Sequence, residues 1–136
     1  FVQSLPPGLP KAIVSSSSSA WIRRHLEHIG LEGVFEPHIY SGREHVVRGK
    51  PAPDVFLYAA GWMRSAVQDC VVVEDSVPGV TAARDAGMRT FGFTGGSHCP
   101  PDLEAHLRAA GAEEVFGEMA ALERLLPTVF AEPLAA

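Results

Sequence analysis

Three places in the chain carry side chains whose types suit a common chemistry. Val71-Val72-Val73 runs straight into Glu74-Asp75, Lys50 precedes Pro51-Ala52-Pro53, and Ser15 and Ser16 open a five-serine tract directly after Ala12-Ile13-Val14. Adjacent carboxylates offer the hard oxygen ligands that Mg2+ takes, one or two at a time, alongside substrate oxygens. A lysine neutralises charge on a transferring phosphoryl group and on a nearby carboxylate. A hydroxyl and backbone amides at a helix N-terminus hold phosphate oxygens. Together these are the parts of a phosphoryl-transfer site. Each also has an ordinary explanation. Acidic residues open helices because the macrodipole favours them there, serines cap helices and build turns, and a lysine before proline is commonly solvated surface. Their joint appearance at the ends of successive αβ units favours the chemical reading.

Those residues need a scaffold, and the hydrophobic pattern supplies one. Short apolar runs predict strands at 12–14, 70–73, 89–93 and 114–116, with a further short one around 38–40. Helical spacing groups Trp21, Ile22, His25, Leu26 and Ile29 on one face, closed by Gly30. Pro51 and Pro53 suit a helix start, and Val55, Phe56, Ala59 and Trp62 give its apolar face. A small-residue helix is expected over 77–86. Leu103, Leu107 and Ala110 mark another, and Met119, Leu122, Leu125 and Leu126 mark the last. Strands alternating with helices predict an α/β fold, a parallel sheet with helices on both faces and right-handed crossovers. Ligands in such folds bind at the carboxyl ends of the strands, where Ser15 and the Glu74-Asp75 pair stand.

The bulk properties narrow the class. The chain has 136 residues, one domain's worth, with 46% apolar and 20% charged residues. The division expected is a linker or upstream remnant over 1–11, a core over 12–126 and an irregular tail over 127–136. A net charge of −5 without a basic run argues against nucleic acid as a partner. No apolar run reaches the ~18 residues of a membrane span. Residues 1–10 lack the basic start and apolar block of a signal peptide, and the chain starts with Phe1 rather than Met. Cys70 and Cys99 have neither zinc spacing nor a disulfide pattern, which suits a reducing cytoplasm. His25 and His28 share a helix but have no third ligand near in sequence.

The segments Gly49-Lys50-Pro51-Ala52-Pro53-Asp54-Val55-Phe56 and Val73-Glu74-Asp75-Ser76-Val77-Pro78-Gly79-Val80, with Ala86-Gly87-Met88, closely resemble the haloacid dehalogenase (HAD) superfamily, in its phosphatase and β-phosphoglucomutase-like branch. Ile13-Val14-Ser15 is similar to that family's second motif. The resemblance implies an incomplete Rossmann-like core, Mg2+ as cofactor and a small phosphorylated metabolite as substrate. It implies that Ser15, with Ser16 beside it and Ser17 as the alternative register, binds the phosphoryl group. Lys50 would bridge that group and a nucleophilic aspartate. Asp75 would ligate Mg2+, and Glu74 would ligate it or hold a metal-bound water.

The family's nucleophile sits in an Asp-x-Asp-Gly-Thr segment on a first, central strand. No Asp-x-Asp occurs in this chain, and the helical cap that usually sets substrate choice is missing. The expectation is therefore the C-terminal part of a phosphatase acting through an aspartyl-phosphate, inactive alone, with an upstream segment or a second copy filling the place of the first strand. A phosphosugar mutase and a non-catalytic interaction protein on the same scaffold are the alternatives. A phosphorylation-receiver domain has the same groups in another chain order. A nucleotide-binding module is opposed by the lack of a glycine-rich phosphate loop, since Gly95-Gly96 makes only a turn.

Overall fold

The computed structural model describes residues 1–6, 8–96 and 99–127. Among these residues five strands alternate with helices: β1 (Ile13–Ser15), α1 (Ser19–His28), β2 (Ile39–Ser41), α2 (Asp54–Trp62), β3 (Val71–Glu74), α3 (Val77–Asp85), β4 (Arg89–Phe93), α4 (Leu103–Ala110), β5 (Glu114–Phe116) and α5 (Leu122–Leu125). Every pairing is parallel. β1 pairs with β2, aligning Val14 with Tyr40, and the second sheet runs β3-β4-β5, aligning Val73 with Phe91 and Gly92 with Val115. The alternation of strand and helix thus yields the parallel α/β fold that the pattern predicts.

The single sheet expected from that pattern is two sheets. β1 and β3 exchange no ladder hydrogen bonds, and the space between them is part of a cavity. An apolar run shows that a strand forms; it carries no information about which strand lies alongside.

Side-chain alternation along the strands puts helices on both faces. Ile13 and Ile39 join Ile22, Leu26 and Phe35 under α1. Val14 and Tyr40 face the opposite way, into a cluster with Val55, Phe56, Ala59 and Ala60 of α2. That cluster continues to Val72 of β3 and to Ala82, Ala83 and Ala86 at α3, so α2 packs against β1, β2 and α3 and shares a core with the second sheet. Val73, Phe91 and Phe116 turn to the other face and pack with Leu122 and Leu126.

Two expected apolar faces are narrower than the spacing suggests. Trp21 is 51% exposed, Ile29 52% and Trp62 65%. α1 covers only two strands, so Ile22 and Leu26 suffice, and Trp21 stacks instead on His25 with ring centroids 4.9 Å apart. In α2 it is Ala60 rather than Trp62 that joins Val55, Phe56 and Ala59 in the core, because the helix lies against β1 and β2 on one side and α3 on another.

At the ends of the chain, residues 2–4 form one 3-10 turn, and Val2 packs against the α1 cluster. The tail expected over 127–136 lies outside the described residues from 128 onward, as do Ser97 and His98 of the loop after β4. Among the described residues no helix is long and apolar enough to cross a membrane.

Candidate active site

The carboxyl ends of β1 and β3 open onto one cavity of about 660 Å³. Its wall includes Ser15, Ser16, Lys50, Glu74, Asp75 and Ser76. The five residues singled out from the sequence therefore share one cavity, although they lie on three separate segments of the chain. Ser17, the alternative phosphate-binding register, is absent from that wall.

Each is placed by a local device. Ser15 is the last residue of β1, and its hydroxyl oxygen accepts the Ser17 N–H at 3.1 Å, which folds the serine tract into a turn. Ser18 is the N-cap of α1, its Oγ accepting the Trp21 N–H at 3.2 Å. The tract so divides between a site end and a capping end. Glu74 ends β3, Ser76 caps α3 by accepting the Gly79 N–H at 3.1 Å, and Asp75 stands exposed between them. Lys50 precedes a cis peptide bond to Pro51, shortly before α2.

Lys50 is the centre of the electrostatics. Its ammonium forms an ion pair with Glu74 Oε1, donates to the Val14 C=O at 3.1 Å and lies 5.0 Å from the centroid of the Phe56 ring. Both side chains of the pair are nearly buried, at 8% and 10% exposure. Burial pushes the Glu74 carboxyl above its ordinary value; the Lys50 charge opposes that rise, and Asp75 adds to it. Lys50 thus bridges the two sheets, holding a backbone carbonyl of β1 and a carboxylate of β3.

Glu74 needs room on the α3 side. A Cβ at Gly79 would overlap the Glu74 carboxylate, so glycine is what lets this side chain lie against the first turn of α3. Gly79 falls within the small-residue helix expected over 77–86, and nothing in that pattern marks it as the neighbour of Glu74. Ser41, at the carboxyl end of β2, is equally unmarked, although the Ser41-Gly42 pair signals a turn beside a strand end.

The donor set bears on the metal. Two carboxylates at a strand end are the oxygen chemistry that Mg2+ takes. Among the described residues no group of three or more His, Cys, Asp or Glu could hold a metal. Glu74 and Asp75 could contribute two carboxylates to such a shell. His25 and His28 stand exposed on α1, away from the cavity wall. Cys70 and Cys99 are free and partly buried, and burial raises the Cys70 thiol.

Comparison with known proteins points the same way as the motifs. Residues 2–87 match the family model described as haloacid dehalogenase-like hydrolase. Hexitol phosphatase A of Escherichia coli K12 is 34% identical over 108 residues, 79% of this chain and 49% of that protein. A haloacid dehalogenase-like protein of Agrobacterium tumefaciens C58 superposes with a TM-score of 0.88 at 42% identity, covering 94% of this chain and 58% of that one. A HAD family hydrolase of Deinococcus radiodurans R1, solved with bound phosphate and sodium, superposes with a TM-score of 0.81 at 35% identity, covering 90% and 53%. The chain spans about half or less of the curated relatives it matches, and a little over half of these two solved chains.

Proposed function

The chain belongs to the haloacid dehalogenase-like hydrolase family, and on that premise we propose that the protein carrying it is a Mg2+-dependent phosphatase of a small phosphorylated metabolite, of the sugar phosphate or phosphoglycolate kind. The observation that carries the reading is the shared cavity: Ser15, Ser16, Lys50, Glu74 and Asp75 lie on its wall at the carboxyl ends of β1 and β3.

In this reading Ser15 and Ser16 bind the phosphoryl oxygens, and Lys50 offsets the negative charge that collects as the phosphoryl group transfers. Its position between Val14 and Glu74 keeps the ammonium fixed and largely out of water, where a charge acts more strongly. Asp75 and Glu74 would hold Mg2+. When bound, that ion supplies charge neutralisation at the transferring group. The attacking carboxylate would come from a segment outside these 136 residues. It would take the phosphoryl group as the ester P–O bond breaks and the alcohol leaves, and water would then cleave the aspartyl-phosphate to inorganic phosphate, the covalent strategy carboxylates serve in other enzymes. The two unpaired cysteines suit a cytoplasmic setting.

The test is phosphate release from an aryl phosphate by the intact protein, with and without Mg2+. Turnover that needs Mg2+ and falls in Asp75→Asn supports the reading. It should fall by ~100-fold or more in Lys50→Ala, as for loss of an electrostatic transition-state contact. Full activity in Asp75→Asn, or clear turnover by residues 1–136 alone, overturns it.

A further inference from the structure

The turn after β2 touches the serine tract three times. The Gly42 N–H donates to the Ser15 C=O at 2.8 Å. The Ser41 hydroxyl, fully buried, donates to the Ser17 C=O at 2.7 Å and accepts the Arg43 N–H at 3.2 Å. Glu44 Oε2 accepts the Ser19 N–H at 2.9 Å across the start of α1. The turn is itself tied back, since His45 Nδ1 accepts the Ser41 N–H at 2.8 Å. Neither Ser41 nor Glu44 lies on the cavity wall.

These contacts decide which donors of the tract remain for a ligand. A helix N-terminus offers its first amides to anions, but here several are engaged. The Ser17 N–H goes to Ser15 Oγ, the Trp21 N–H to Ser18 Oγ and the Ser19 N–H to Glu44. The Ser19 hydroxyl and amide hold the Glu44 carboxyl below its ordinary value, so it is charged at neutral pH. A charged carboxylate at that amide repels a phosphoryl group and leaves Ser15 and Ser16 as the tract's contribution to the cavity.

We infer that the Ser41–Glu44 turn is the positioning element of the phosphate-binding loop, with Ser41 fixing where Ser15 and Ser16 stand and Glu44 closing the start of α1 to phosphoryl oxygens. The inference rests on the phosphate-binding reading above. Both residues act through the loop, and neither touches the phosphoryl group.

The probe is inorganic phosphate, titrated into the 15N-labelled intact protein while its serine amide resonances are followed. In the wild type, resonances of Ser15 and Ser16 should move while Ser19 stays silent. Ser41→Ala removes the only side-chain tie to the Ser17 carbonyl among the described residues, and should weaken phosphate about five- to tenfold, the scale of one lost hydrogen bond. Ser41→Thr keeps the hydroxyl and should recover most of that. Glu44→Ala should make Ser19 phosphate-sensitive, and Glu44→Gln, which keeps the acceptor, should leave it silent. Glu44 is exposed, so this pair decides the matter should Ser41→Ala fail to fold. Wild-type affinity in Ser41→Ala, a silent Ser19 in Glu44→Ala, or no phosphate-sensitive serine in the wild type overturns the inference. A protein that shows the expected pattern yet hydrolyses no phosphate ester keeps this inference and ends the phosphatase reading.

Discussion

Gly79 and Lys50 govern the same carboxylate from opposite sides. An alanine at 79 would push Glu74 off its place, and the group that must move is the end of a side chain rather than backbone. Alanine also gains about 0.5–1 kcal/mol over glycine inside a helix. Gly79→Ala is therefore expected to leave the melting temperature within a few degrees of wild type while turnover of the intact protein falls at least ~10-fold, as for a displaced electrostatic contact. Equal losses of activity and stability would contradict this. Lys50→Ala differs in kind. It leaves Glu74 nearly buried without its partner, a change that costs about 3–5 kcal/mol, so denaturant unfolding should show the deficit directly. Ser15 and Ser18 separate within one tract. Ser18→Ala loses a helix cap and should cost ~1 kcal/mol of stability with phosphate affinity unchanged. Ser15→Ala should weaken phosphate. A reversal of those two results would move the phosphate-binding register along the tract.

At the scale of elements, α1 is tied to the turn before β2 by Arg23 and Glu36, whose Nε and Oε1 lie 2.6 Å apart. The Arg23 hydrogen bond holds the Glu36 carboxyl below its ordinary value. A carboxyl lowered in the folded state adds stability above its unfolded value, and that stability is lost as pH falls through the lowered folded value. Both side chains are more than a third exposed, so the pair is worth under ~0.5 kcal/mol after solvent screening. Glu36→Gln should lower the melting temperature slightly at pH 7, and the difference should vanish in acid or high salt. A gap that persists in acid would assign the effect to packing. The elements themselves were legible in the sequence because β-branched runs and helical spacing report local burial. Ile22 and Leu26 show the pattern working. Trp21, Ile29 and Trp62 show its limit, since spacing marks the side of a helix that can be buried, while neighbouring elements determine how wide the buried strip becomes. The cavity residues were legible because Lys50 and Glu74-Asp75 sit in distinctive surroundings. Ser41 and Glu44 were not, because their part consists of hydrogen bonds to a segment more than twenty residues away.

Across the whole molecule the governing feature is the space between β1 and β3. Among the described residues each of these strands is laddered on one side only. Backbone groups on the other side want partners, and an open strand edge invites another chain. Residues 1–136 alone are expected to unfold at low denaturant or to self-associate, which sedimentation together with urea titration would detect. A monodisperse, cooperatively unfolding monomer would contradict that. Supplying an upstream strand should raise the unfolding midpoint and suppress association. Connections across the space run through Lys50 and through α2, which shares one core cluster with Val14 and Tyr40 on one side and Val72 on the other. A helix held this way couples two units without making them one. Deuterium exchange of backbone amides follows the free energy of local opening. In this chain alone, the amides of β1 and β2 should exchange in one kinetic class and those of β3, β4 and β5 in a slower one. A strand seated between the sheets would merge the two classes.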